Sequence, residues 1–331
     1  MSDAGGEADV ARAVALLRQG GTVAFPTETV YGLGADATNP EAVRRIFAIK
    51  RRPADHPLIV HLAEAAMLDD WARDIPESAR RLAACFWPGP LTLILKRQPR
   101  VPDAVTGGQD SIGVRVPAHP LAAALLKEFG SGIAAPSANR FGRVSPTSAA
   151  HVRAELGAEV DLILDGGPCR VGIESTIVSL LGETPVLLRP GAITAMQLKR
   201  ALGTPVGLPG GASGIPRVPG THAAHYAPRT PLVLLPAAEL WPELERRAAA
   251  GERLAVMPFS PPPSPPPASV AVFPMPPHPE DYARLLYATL HEVDASGARR
   301  LLVETPPEDE SWRAVGDRLR RATAAAVPFA P

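Results

Sequence analysis

Gly20-Gly21-Thr22-Val23-Ala24-Phe25-Pro26-Thr27-Glu28-Thr29-Val30-Tyr31 is the run that decides the architecture. Before it, Val10, Ala13, Val14, Leu16 and Leu17 lie at helical spacing with Asp9 as a cap, and the two glycines end that helix. A strand over 22–25 follows at once, and Pro26 to Tyr31 then set hydroxyls and a carboxylate at its carboxyl end, where open α/β sheets bind ligands. The alternation continues outward. Past a polar turn, Asn39-Pro40 caps a helix over 40–50, a buried strand covers 58–62, and a helix over 77–86 leads through the turn Trp87-Pro88-Gly89-Pro90 into a strand over 91–96. Strands at 112–116, 133–135, 162–165, 175–180 and 186–188, with helices at 120–129 and from 194, complete an α/β domain with a mixed sheet.

From 203 to 219 the chain thins to Gly, Pro and Ser, the composition of a linker or mobile loop, and the domain break falls there. Beyond it, strands at 232–235, 254–258, 270–273 and 301–304 alternate with helices at 237–250, 282–293 and 312–325, predicting a small doubly wound domain. The proline-dense tract at 260–267 reads as a stiff surface loop. Composition agrees with two folded domains: 331 residues, 46% apolar, and 34 Lys plus Arg balancing 34 Asp plus Glu. Zero net charge argues against coating nucleic acid or a membrane by bulk electrostatics. Cys85 and Cys169 alone make neither a disulfide framework nor a four-thiolate zinc site, and with no secretory signal or long apolar stretch a cytoplasmic protein is expected.

Several motifs bear chemistry. Gly32-Leu33-Gly34 mimics a dinucleotide fingerprint, but Pro26 to Tyr31 separate it from its strand, and no Gly-Lys-Ser/Thr loop exists. Lys50-Arg51-Arg52-Pro53 offers phosphate oxygens a point charge and a planar fork, or else complements the end of a helix. His61 fits a core histidine or a ligand contact. Pro136-Ser137-Ala138-Asn139 follows a strand with small residues that let backbone approach a ligand. Arg115 and Arg189 sit in otherwise apolar strands and want an anion or a buried carboxylate. Arg140 and Arg143 precede Ser145-Pro146-Thr147 in a basic, hydroxyl-bearing loop. No hydrolase order surrounds Ser175, and His222 with His225 lacks further ligands for zinc.

Taken in order, these segments, with Glu174-Ser175-Thr176 and Leu188-Arg189-Pro190-Gly191, closely resemble the YrdC-like threonylcarbamoyl-AMP synthase family. His225-Tyr226-Ala227-Pro228 is similar to its two-domain form. The resemblance implies a YrdC-like catalytic domain over 8–203, a linker and lid over 204–229, and a small Rossmann-like domain over 230–331. It implies synthesis of threonylcarbamoyl-AMP and pyrophosphate from L-threonine, bicarbonate and ATP with Mg2+, for threonylcarbamoyl-adenosine in tRNA, the transfer being done by other proteins. By the same resemblance Thr29, His61, Arg115, Ser175 and the backbone of Ala135 contact threonine. Arg52, His56, Ser111, Ser137, Asn139, Ser145, Arg189 and Tyr226 contact ATP, and Lys50, Arg52 and Arg189 meet the charge of the reacting phosphates. His56 stands where some relatives carry asparagine. Two other classes fit parts of the pattern: an RNA-binding module using Lys50, Arg51, Arg52, Arg140 and Arg143, and a carbamoyl-adenylate-forming enzyme, whose extra cysteines this chain lacks.

Overall fold

The computed structural model describes residues 3–209, 216–220 and 225–324, with side chains from residue 7 onward. The chain divides into two units, Met1–Phe141 with Pro146–Thr221, and Gly142–Ser145 with His222–Pro331.

The first unit runs α1 (Asp3–Arg18), β1 (Val23–Phe25), β2 (Gly32–Asp36), α2 (Pro40–Lys50), β3 (Ile59–His61), α3 (Leu68–Trp71), β4 (Ala72–Arg73), α4 (Glu77–Phe86), β5 (Leu91–Arg97), α5 (Asp103–Thr106), β6 (Ser111–Arg115), α6 (Pro120–Phe129), β7 (Ile133–Ala134), α7 (Ala149–Leu156), β8 (Leu162–Ile163), β9 (Thr176–Ser179), β10 (Val186–Arg189) and α8 (Ala195–Leu202). Its strands form one mixed sheet in the order β10-β9-β5-β6-β3-β7-β2-β1-β8, with β4 beside β5. Of these pairs β3 with β6, β5 with β9 and β1 with β8 are parallel.

Apolar residues cover the sheet. Val10, Val14 and Leu17 of α1 meet Ala122, Leu125 and Leu126 of α6 over Phe25 and Ile133. A larger cluster gathers Val43, Ile46 and Phe47 of α2 and Leu82 of α4 with Val60, Leu93 and Val114 of the strands. Burying one such leucine completely contributes on the order of 2 kcal/mol, so truncation of Leu126 would loosen the α1–α6 seam.

The structure corrects the expected start of α1. The helix continues to Asp3, so Asp9 lies inside it and is no cap. The expected polar turn after Tyr31 is also partly a strand, β2. Two glycines hide it, because glycine disfavours strands, yet here the pairing demands one: a Cβ on Gly34 would stand 2.7 Å from Phe25 Cε1 and 2.8 Å from Ile133 Cγ2.

The second unit holds β11 (Leu232–Leu235), α9 (Ala237–Ala249), β12 (Leu254–Met257), β13 (Ala271–Val272), α10 (Pro279–Ala295), β14 (Arg300–Glu304) and α11 (Arg313–Ala324). Its four strands are all parallel in the order β11-β14-β12-β13, over a core that includes Leu240, Leu244, Val256 and Leu302. Helix α10 extends beyond the predicted 282–293 at both ends, since Pro279 suits a first turn. The tract at 260–267 is largely exposed, as expected of a surface loop.

Candidate active site

Register builds the first cluster. β3 and β6 pair in parallel with His61 opposite Arg115, so both side chains leave carboxyl ends of adjacent strands. Arg115 is buried and each of its guanidinium nitrogens has a partner: Nε donates to Gly89 O at 3.1 Å, Nη1 to Thr29 Oγ1 at 2.9 Å and Nη2 to Glu28 Oε1 at 2.5 Å. The turn after β1 delivers those partners. Thr27 Oγ1 accepts from the backbone N–H of Thr29 and Val30 and donates to Val30 O at 2.7 Å, a hydroxyl-closed turn that fixes Thr29. The carboxylate wanted by Arg115 is therefore Glu28, a residue absent from the expected contacts. Burial, reinforced by the positive charge of Arg115, pushes the His61 imidazole down to about 3, although the backbone of Ile59 and Ile133 pulls the other way. His61 Nδ1 finds no hydrogen-bond partner among the described residues.

A second cluster forms where α2 ends. Asn39 accepts from Glu41 N and Ala42 N at the start of the helix, and Arg51 closes it in the left-handed conformation, φ 51. Arg52 N then reaches Phe47 O, which turns the chain out and separates Lys50 from Arg52. Lys50 is buried, and its ammonium donates to the carbonyls of Ser137 and Asn139, both at 2.5 Å. Desolvation, with Arg52 as the next cause, holds its pKa well below the usual lysine range. Arg52 Nη2 donates to Pro57 O at 3.0 Å, and its guanidinium lies 5.8 Å from the Phe141 ring centre. His56 meets the same ring edge-on at 5.2 Å. The loop after β7 is held by backbone: Ala135 N donates to Ile59 O, Leu33 N to Pro136 O and Ala138 N to Tyr31 O.

A third cluster lies where β9 begins and β10 ends. Arg189 donates through Nε to Ser175 O at 3.0 Å, through Nη2 to Ser175 Oγ at 3.1 Å and through Nη1 to Pro219 O at 3.0 Å. Thr92 Oγ1 lies 2.8 Å from Ser175 Oγ. Gly191 is obligatory, because a Cβ there would stand 2.5 Å from Thr176 N and 2.8 Å from Glu174 O. Beside this cluster, Ile59, Ile94, Ile177, Leu188 and Val218 form an apolar patch. The neighbouring Arg217 is anchored by Asp55, by the carbonyl of Gly107 and by both ends of the Gln109 amide. A segment whose composition predicts no core thus contributes a buried valine.

The clusters share one sheet. β5 pairs antiparallel with β6 and parallel with β9, where Thr92 stands opposite Ile177 and its hydroxyl reaches back to Ser175 Oγ. Lys50 feels the charges of both Arg52 and Glu174, the residue before Ser175. Ser111 opens β6 at the end opposite Arg115, about 13 Å away along the strand. Lys50, Arg52, His56, Ser137 and Asn139 gather near the amino end of β3, and His61, Arg115, Ser175 and Arg189 near the level of its carboxyl end.

Ser145 and Tyr226 belong to the second unit. There the carbonyl of Ser145 contacts His291 Nε2 at 3.2 Å. Tyr226, at φ 63, is stacked with Tyr287 at 5.8 Å and lies 5.0 Å from the Arg318 guanidinium. His222 and parts of the expected 204–229 linker fall outside the described residues. The basic surface considered for RNA is largely spoken for: Lys50 and Arg52 are buried, and Arg140 is ion-paired with Glu159 and donates to Ile49 O. Sequence reasoning places Thr27 and Glu28 in the polar cluster at the end of β1 but gives neither a contact, and assigns none to Thr92 or Phe141; a carboxylate beside an apolar strand needs a cation, which is the signal that the Thr-Glu-Thr run carries. Among the described residues no helix is long and apolar enough to cross a membrane, and no three His, Cys, Asp or Glu side chains group as metal ligands.

Comparison with known proteins gives consistent findings. A family model described as telomere recombination (Sua5, YciO and YrdC) matches residues 15–191, and one described as the threonylcarbamoyl-AMP synthase C-terminal domain matches residues 193–324. Threonylcarbamoyl-AMP synthase of Pyrococcus abyssi is 40% identical over 320 residues, covering 94% of this chain and 93% of that protein. The Bacillus subtilis enzyme of the same name is 49% identical over 232 residues, 68% of this chain and 66% of its own. The crystal structure of P. abyssi Sua5 complexed with L-threonine superposes with a TM-score of 0.90 at 38% identity, covering 97% of this chain and 95% of that one.

Proposed function

This chain belongs to the threonylcarbamoyl-AMP synthase family in its two-domain form, and from that premise we propose how its residues divide the work. The reaction joins L-threonine, bicarbonate and ATP into threonylcarbamoyl-AMP with release of pyrophosphate. The observation that carries the residue assignment is the pairing, on one sheet, of a hydroxyl-bearing arginine cluster around Arg115 with a lysine-arginine cluster around Lys50.

In this scheme the threonine carboxylate meets Arg115, with Thr29 and Ser175 as hydroxyl partners and the Ala135 backbone alongside. His61 stays neutral, so it serves as a hydrogen-bonding group and not as a cation. The threonine amine, once deprotonated, combines with bicarbonate to a carbamate, losing water. A carbamate oxygen then attacks the α-phosphorus of ATP while pyrophosphate leaves in line. Arg52 and Arg189 meet the developing charge, and each well-placed donor in such a site is worth ~3 kcal/mol in the transition state. Lys50 spends two of its three N–H groups on the carbonyls of Ser137 and Asn139, which shapes the nucleotide loop and leaves one for a phosphate oxygen. His56, Ser111, Ser137 and Asn139 are assigned to the nucleotide. A magnesium ion would travel on the ATP phosphates, screening their charge, since the described residues offer no acidic cage. The product is taken up by proteins that transfer the threonylcarbamoyl group to tRNA.

Pyrophosphate release measured with threonine and bicarbonate omitted in turn tests the scheme, repeated for Arg52→Ala and Arg189→Ala. Release should need both co-substrates and fall by about two orders of magnitude in each variant. Release without threonine would overturn it.

A further inference from the structure

The reaction scheme gives no role to one buried charged group, the carboxylate of Glu28. Its surroundings are unusually fixed. Oε1 accepts from Arg115 Nη2 at 2.5 Å, Oε2 accepts from Ala118 N at 3.0 Å, and its own carbonyl accepts from Val171 N at 2.7 Å. The side chains of Arg115 and Glu28 are 4% and 5% exposed, so water screens neither. Buried ion pairs add little net stability, and removing one partner strands the other charge. Something beyond stability fits this pair better.

We propose that Glu28 is the positioning residue of the amino-acid half, fixing the Arg115 fork and cancelling its charge so that the pocket accepts a zwitterion and rejects small free anions. The inference rests on the threonine assignment above. Three observations support it. Glu28 holds Nη2 while Gly89 O and Thr29 Oγ1 hold Nε and Nη1, so the plane of the guanidinium has one orientation, with two of its five N–H groups left for a carboxylate. His61 beside Arg115 is neutral, so the Arg115–Glu28 pair carries no net charge of its own, while Arg189, which donates to Ser175, is assigned to the phosphates. The hydroxyl turn at Thr27 ties Glu28 and Thr29 to one rigid stretch, so charge and hydroxyl are placed together. An arginine already neutralised by its own carboxylate gains little from chloride, acetate or bicarbonate, whereas an amino acid brings a carboxylate and an ammonium at once. An unbalanced arginine in the same place would collect any anion.

The test uses the full chain, Glu28→Gln and Glu28→Asp, with steady-state pyrophosphate release, chloride and 3-hydroxybutyrate as probes. In Glu28→Gln the threonine KM should rise about tenfold with the ATP KM within about twofold, and both anions should become competitive with threonine, as they are not in the unaltered protein. Glu28→Asp, which keeps the charge on a shorter stem, should raise the threonine KM less and remain insensitive to the anions; this variant decides the matter if the amide variant does not fold. Anion insensitivity in a folded Glu28→Gln, or an unaltered threonine KM in Glu28→Asp, overturns the proposal. Pyrophosphate release by the unaltered protein that ignores threonine would instead sink the threonine assignment, so the two failures are distinguishable.

Discussion

Replacing His61 by asparagine should flatten the pH dependence of stability. Burial holds the imidazole down at about 3, against an ordinary 6.5, so below pH 6.5 the unfolded chain takes up a proton that the folded chain refuses. The sign follows: the contribution of His61 is complete above pH 6.5 and is lost as pH falls toward 3. Each pH unit in that window is worth ~1.4 kcal/mol, so between pH 6.5 and 4.5 the loss is on the order of 2.5 kcal/mol. Urea unfolding followed by circular dichroism at pH 7 and 4.5 measures it, and comparison with His61→Asn cancels the carboxylates common to both chains. The variant is expected to start lower at pH 7 and to lose ~2.5 kcal/mol less on acidification. Equal losses in both chains, or an imidazole resonance of His61 that titrates near its ordinary value, would refute the reasoning.

Other outcomes follow from the same geometry. Lys50→Met removes the donor from the carbonyls of Ser137 and Asn139; thermal unfolding should show a loss of ~2 kcal/mol, with the ATP KM raised more than the threonine KM. Gly191→Ala forces a Cβ against the backbone of Thr176 and Glu174, so activity should drop at least tenfold while circular dichroism stays close to the parent spectrum. The buried Cys169 thiol is pushed up to about 12 by desolvation and the nearby Glu28, whereas Cys85 is exposed; a thiol reagent should label one site in the native chain and two after denaturation. Thr92→Val leaves Ser175 Oγ without one of its partners and should raise the threonine KM severalfold without changing the melting temperature by more than about 3 °C.

Much of this is legible in the residues themselves. Helices at Pro40–Lys50 and Pro120–Phe129 announce their starts through a proline in the first turn, whereas the left-handed Arg51 that closes the first is seen only in the structure. The Rossmann-like order of the second unit shows in its strand and helix spacing. What local pattern cannot give is contact across the chain. Glu28 meets Arg115 at a separation of 87 residues, and Lys50 meets Ser137 at the same separation. Lys50 reads from its own segment as a phosphate ligand or a helix-end charge, and nothing there shows that the fold buries it under the loop it supports. β2 is hidden because its glycines answer to Phe25 and Ile133, not to strand propensity. Short α3, β4 and α5 are fixed by the long strands beside them, and four residues or fewer carry no period to read.

The most direct test supplies the protein with ATP, L-threonine and carbon-13 bicarbonate and weighs the adenylate formed. One labelled carbon in a threonylcarbamoyl-adenylate, appearing with equimolar pyrophosphate and abolished in Arg115→Ala, is the predicted result. An adenylate of threonine itself, without the labelled carbon, would contradict it.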